Sequence, residues 1–192
     1  MKQNTLIITL LLIAFLTGCS YVVSKHPVGL EKYPLNPDEW DGTWLHEDEV
    51  ITIKVTDESK GIVQIAWIET NQEKLKFESV TCQVMKGTNW LYINELEFPD
   101  ENDDGFYFWG KLRKENRKII FWVPSVEAFQ EAAEDKQIHA IVNKTDSTAG
   151  TKQRTEDVRL LDKPAKIIDL IENNGSKFFE WEEPIILIKL GE

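Results

Sequence analysis

The alternation of apolar and polar residues from Trp40 onward predicts a series of short strands. In Val50–Val55, residues Ile51, Ile53 and Val55 share one face, which is the two-residue period of a half-buried strand. Polar turns such as Asp57–Gly61 separate this segment from similar runs at 62–69, 75–85, 90–96, 106–112 and 118–123. Short strands at this spacing favour an antiparallel meander.

One of these runs, Leu75–Met85, does not keep its apolar residues on one face. Leu75 and Phe77 occupy odd positions, whereas Val80, Cys82 and Val84 occupy even ones. An extra residue in a strand shifts the alternation in this way. The pattern therefore predicts a bulge between Phe77 and Val80.

Two helices interrupt the strands in the second half of the chain. Ser125 is a suitable N-cap for a helix that runs to about Glu134. Asp162 is the expected cap of a second helix over Pro164–Asn173, with proline in its first turn. Further strands are expected at 138–142, 158–161 and 184–190, and residues 143–156 are expected to be a loop. The predicted fold class is α+β, mainly an antiparallel meander of about seven or eight strands, curled or barrel-like, with two short helices.

The N-terminal segment has the layout of a secretory signal: Lys2, an apolar run over Leu6–Leu16, and small residues before Cys19. The apolar run is short for a spanning helix, which needs about 20 residues. An ordinary signal peptide and a retained membrane helix are the alternative interpretations. Leu16-Thr17-Gly18-Cys19 resembles the lipobox of bacterial lipoproteins. The resemblance implies cleavage before Cys19 and acylation of that residue with chains such as palmitate.

This resemblance divides the chain into a signal peptide over 1–18, a lipidated cysteine with a flexible tether over 19–38, and one β-rich domain over 39–192. It implies a protein anchored in the cell envelope. The Ser20 that follows the cysteine favours the periplasmic face of the outer membrane if the cell is Gram-negative. With Cys19 lipidated, Cys82 has no disulfide partner, and its place on a strand indicates a buried structural thiol.

Composition excludes some classes of partner. The chain carries a formal net charge of −11, and removal of residues 1–18, whose single charge is Lys2, changes this to −12. A strongly acidic domain lacks the cationic surface that nucleic acid requires. Seven Trp and nine Phe supply ample material for a core.

Gly42-Thr43-Trp44 opens the predicted domain. It resembles the Gly-x-Trp entry of lipocalin-like barrels, in which the Trp plugs the closed end of the barrel. A second resemblance, over nearly the whole mature chain, is to uncharacterised bacterial lipoproteins that begin with a Gly-Thr-Trp strand; it implies a tethered β-rich domain and no catalytic residues. The residues themselves favour a simpler role for Trp44, in which it packs the first strand onto the core.

Aromatic residues are the candidates for a partner or ligand surface: Trp44, Tyr107, Trp109 and Trp122. Aromatic side chains on both faces of Phe106–Trp109 indicate either burial on both sides or one exposed patch.

Metal binding is a weaker candidate. Asp100, Asn102 and Asp104 match positions 1, 3 and 5 of a calcium loop, but Lys111 stands at position 12, where a bidentate Glu is needed, so an acidic turn is favoured. His46–Glu49 offers further ligand types, yet neighbours on a strand point to opposite faces, and this segment is interpreted as a solvated loop.

The residues and motifs contain no catalytic constellation, and no cofactor is predicted. The leading hypothesis is a non-enzymatic, membrane-anchored envelope lipoprotein that binds another envelope protein or a cell-wall component. The alternative is a lipocalin-like carrier of a small hydrophobic ligand. An envelope hydrolase is third.

Overall fold

The fold is a closed barrel of eight antiparallel strands with further strands and helices packed against one side. The computed structural model describes residues 20–71, 74–96, 105–146 and 153–191. The barrel strands are β3 (Gly42–His46), β4 (Glu49–Asp57), β5 (Ile62–Asn71), β6 (Lys74–Lys86), β7 (Leu91–Glu95), β8 (Tyr107–Glu115), β9 (Lys118–Trp122) and β12 (Ile185–Lys189). Pairing of β9 with both β8 and β12, and of β12 with β3, closes the barrel.

The remaining elements pack outside the barrel. Strands β1 (Tyr21–Ser24), β10 (Ala140–Asp146) and β11 (Gln153–Leu160) form a small extension that joins the barrel where β1 pairs with β8. The helices are α1 (Pro37–Trp40), α2 (Val126–Glu134) and α3 (Pro164–Asn173), and a 3₁₀ turn covers Gly175–Phe178. A two-residue strand, β2 (Glu31–Lys32), pairs with the end of β6. This architecture confirms the predicted β-rich α+β class.

Alternation along the strands produces two separate cores. Inward-facing residues such as Ile53, Val63 and Leu112 fill the barrel. On the outer face of β7, β8 and β9, residues including Trp109 and Phe129 form a second core beneath α2, α3 and the extension. Strands β7 to β9 are therefore covered on both faces, which explains the four consecutive apolar residues of β9, from Ile119 to Trp122.

Residues 20–38 are part of the fold, which corrects the prediction of a flexible tether. Val22, Val23, Val28 and Leu35 are all buried. The buried side chain of Asn94 holds this segment on the barrel: its Oδ1 accepts from the Val28 amide at 2.6 Å, and its Nδ2 donates to the Val28 carbonyl at 3.0 Å. Prolines and weak periodicity suggested a tether, but the burial depends on β7, which is distant in sequence.

The predicted bulge in β6 is wrong. Pairing between β5 and β6 is continuous from Ile62–Gln83 to Asn71–Lys74. Phe77 lies on the outer face and is 70% exposed, whereas Val80 faces the interior. The apolar pattern changes because Leu75 and Phe77 are exposed apolar residues, and the backbone keeps its alternation.

The predicted helices lie close to their expected positions. Ser125 caps α2 through a bond from the Ala128 amide to its Oγ at 3.3 Å. Lys163, rather than Asp162, is the N-cap of α3, while Asp162 accepts a bond from the His139 amide. The loop expected at 143–156 is shorter, because β10 extends to Asp146 and β11 begins at Gln153.

Candidate ligand cavity in the barrel

The barrel interior contains a cavity of about 110 Å³. All eight barrel strands and Trp40 of α1 contribute to its wall, and sixteen of the eighteen lining residues are apolar. Strand β4 shows how the wall is made: Ile51, Ile53 and Val55 are buried, and the residues between them are exposed. The alternation recognised in the sequence therefore produces an almost wholly apolar chamber.

The size of the cavity limits what it could hold. An apolar cavity of about 150 Å³ stays free of water and accepts benzene or xenon. A volume of about 110 Å³ is somewhat smaller. The chamber suits a single aromatic ring or a short alkyl group, and a long acyl chain does not fit.

Trp44 and α1 close one end of the barrel. Trp44 is fully buried, and its Nε1 donates to the Trp40 carbonyl at 3.1 Å. The ammonium of Lys189 lies 5.8 Å from the Trp44 ring centroid and donates to the carbonyls of Asp38 and Glu39. Helix α1 is thereby attached to both β3 and β12.

Two polar residues, His46 and Glu95, belong to the cavity wall at the opposite end. Strands β3 and β7 run in the same direction, because an even number of antiparallel steps separates them. His46 ends β3 and Glu95 ends β7, so both lie at the end remote from α1. The side chain of His46 is directed into the barrel like that of Trp44, two residues earlier.

His46 is the site residue that the sequence analysis missed. It was assigned to a solvated loop, but it is 7% exposed. Its Nδ1 lies 3.2 Å from the carbonyl oxygen of Ile186, and its Nε2 is buried without a hydrogen-bond partner among the described residues. The available signal was its spacing: residues 42, 44 and 46 share the inward face of β3.

The predicted aromatic residues do not form one site. Trp44 belongs to the closed end, while Trp109 and Trp122 are buried mainly in the second core. Tyr107 is half-buried where β8 meets β1. Their role in binding a partner stays a prediction. Cys19 and the calcium candidates Asp100, Asn102 and Asp104 lie outside the described residues.

A buried lysine occupies an aromatic cluster on the outer face of β8. Lys111 is 3% exposed, and its Nζ lies 3.1 Å from the Trp90 ring centroid and 3.9 Å from that of Trp181. Burial lowers the pKa of Lys111 to about 8, and the Glu172 carboxylate opposes this change. Cation–π attraction also favours the charged ammonium. The cation that these aromatic rings contact is therefore the ammonium of Lys111 itself.

Asp157 is another buried charge, and its interactions indicate a structural role. Its carboxylate accepts bonds from Tyr21 at 3.1 Å, Asn143 at 2.7 Å and Arg159 at 3.3 Å. These residues lie on β1, β10 and β11, so the network joins the three strands of the extension. A buried carboxylate satisfied in this way is typical of a stabilising network.

Across the described ranges, no group of three or more His, Cys, Asp and Glu side chains is placed to hold a metal ion. No helix within those ranges is long and apolar enough to cross a membrane. Cys82 is buried in the cavity wall, as its strand position predicted.

The fold and cavity define a closed eight-stranded β-barrel with an apolar interior. No family model, curated protein or solved structure matches the chain.

Proposed function

We propose that the barrel binds a small apolar molecule in its interior, as a lipocalin-like binding domain does. The observation that carries this proposal is the cavity of about 110 Å³ with sixteen apolar lining residues. Apolar ligands occupy such chambers because their transfer from water is favourable by about 25 cal/mol per Å² of buried apolar surface. The volume restricts the ligand to the size of an aromatic ring or a short alkyl group.

The closed end supports the same proposal. Trp44 and α1 seal one end of the barrel, so a ligand would enter near His46 and Glu95. This is the arrangement that the Gly42-x-Trp44 resemblance implies. Among the sequence-based hypotheses, the carrier of a small hydrophobic ligand therefore gains support over a binding surface formed by exposed aromatic residues.

The first test adds benzene to a protein that comprises residues 20–192, which contain every described element, and follows its methyl groups by NMR. We expect chemical-shift changes in the methyl groups of Ile53, Ile65 and Leu112, which line the cavity. Val80→Phe places extra volume in the interior and should abolish these changes, whereas Val50→Phe, on the exposed outer face, should preserve them. Absence of any methyl response in the unmodified domain would refute the proposal.

We further propose that Cys19 is lipidated and that the barrel is held at an envelope membrane. The support is the signal layout and the Leu16-Thr17-Gly18-Cys19 motif. Two or three acyl chains provide stable attachment, since each buried methylene contributes about 0.8 kcal/mol. Because residue 20 lies next to β1, the barrel would be held close to the membrane without a long tether.

Radiolabelled palmitate tests this anchor directly. The unmodified chain expressed in a bacterial host should incorporate label and sediment with membranes. Cys19→Ala should lose the label, and Cys82→Ala, which removes the buried cysteine, should retain it. Equal labelling of the Cys19→Ala protein would contradict lipidation at this residue.

A further inference from the structure

We propose that Nε2 of His46 accepts a hydrogen bond from the ligand, so that the barrel selects a small apolar molecule bearing one hydroxyl or N–H donor. This inference rests on the proposed function and specifies the chemical class of the ligand. It starts from the placement of His46, which lines the cavity at the end opposite α1 and is 7% exposed.

The hydrogen bond of the other ring nitrogen determines what Nε2 offers. Nδ1 lies 3.2 Å from the Ile186 carbonyl oxygen, which can only accept. Nδ1 therefore carries the proton, and in the neutral ring Nε2 is left with a lone pair. The contact with Ile186 also fixes the orientation of the His46 ring, because Ile186 lies on β12, the strand that pairs with β3.

The Nε2 atom of His46 is buried and has no hydrogen-bond partner among the described residues. Buried polar atoms normally have a partner, so an unpartnered acceptor on a residue that lines a cavity is a candidate contact for a ligand. The apolar residues around it would bind the body of the ligand, and Nε2 would select the donor group.

The size of the chamber and the acceptor at Nε2 together define a class of ligand. The chamber accommodates about one aromatic ring, and the polar contact requires a donor. A phenol or short-chain alcohol has both properties. Benzene has the ring but lacks the donor, and is therefore the matched comparison.

The test compares the dissociation constants of phenol and benzene for the domain and for His46→Phe. We expect the ratio of benzene to phenol dissociation constants to fall about tenfold in His46→Phe, as loss of one hydrogen bond predicts. Benzene binding should change little, because phenylalanine keeps an aromatic ring at this position and benzene makes no hydrogen bond with either side chain. His139→Phe, an exposed histidine on the same chain, is the control and should leave the ratio unchanged.

A second measurement does not depend on the variant's folding. The ¹⁵N resonance of His46 Nε2 in the unmodified domain should shift on addition of phenol and remain unchanged with benzene. If both compounds bind, but the ¹⁵N resonance does not respond to phenol or the affinity ratio is the same in His46→Phe, the inference is wrong and the proposed function stands. If neither compound binds, the proposed function itself fails.

Discussion

The indole Nε1 of Trp44 donates to the carbonyl oxygen of Trp40 at 3.1 Å. This bond connects the first barrel strand to the helix that closes the barrel. Trp44→Phe keeps an aromatic ring but removes the donor, and we expect a loss of about 1 kcal/mol in the free energy of unfolding. Trp44→Ala also leaves a cavity, and should cost about 3–5 kcal/mol.

Denaturant unfolding monitored by circular dichroism would measure both changes. Thr43→Ala is a suitable control, because Thr43 is exposed on the same strand. Equal stability of the Trp44→Phe protein and the unmodified domain would show that the bond to Trp40 contributes nothing to closure.

The inward and outward faces of the barrel should respond differently to the same substitution. Ile53 is 2% exposed and Ile68 is 62% exposed, on neighbouring strands. Ile53→Ala should lower the free energy of unfolding by about 2–5 kcal/mol, and Ile68→Ala should change it by about 0.5 kcal/mol or less. The same urea series measures both, and a reversed order would mean that the strand register is wrong.

Removal of the Tyr92 hydroxyl should not weaken the protein. Tyr92 is fully buried, and its hydroxyl has no hydrogen-bond partner among the described residues. A buried polar group without a partner costs about 1–3 kcal/mol. Tyr92→Phe should therefore leave the free energy of unfolding unchanged or raise it, and a clear decrease would reveal a partner for the hydroxyl.

Lys111 should make stability depend on pH in the alkaline range. Burial lowers its pKa from 10.5 to about 8 in the folded protein. Between these values the unfolded chain retains a proton that the folded protein has lost, so the contribution of Lys111 to stability increases with pH. In Lys111→Met this contribution is absent.

Urea unfolding midpoints of the unmodified protein and of Lys111→Met, measured from pH 7 to 10.5, isolate the contribution of Lys111 to stability. The difference between unmodified and Lys111→Met stability should shift in favour of the unmodified protein as pH rises from about 8. Parallel pH profiles would mean that the rings of Trp90 and Trp181 stabilise the ammonium enough to cancel the effect of burial.

Local sequence signals predicted the elements that depend on near neighbours. Helix α3 begins at Pro164 and ends at Asn173 as expected. The signals that predicted it, a proline in the first turn and a stripe of isoleucines, both lie within the helix itself. The alternation of β4 likewise identified residues that face the barrel interior. Such patterns are visible in sequence because they repeat at the period of the element.

Features that depend on distant contacts could not be predicted in the same way. Val28 is buried because Asn94 bonds its backbone, across 66 residues. The alternation of β3 directs His46 inward, but the contact of its Nδ1 with the Ile186 carbonyl depends on β12, 140 residues away. The cavity itself depends on all eight strands closing, and no single segment contains that information.

A crystal structure of residues 20–192 grown with benzene would show whether the barrel interior accepts a small apolar ligand. We expect density for one benzene molecule inside the barrel, in contact with Ile53, Leu112 and Phe121. An interior occupied by rearranged side chains or by ordered water, with no benzene at saturating concentration, would contradict it.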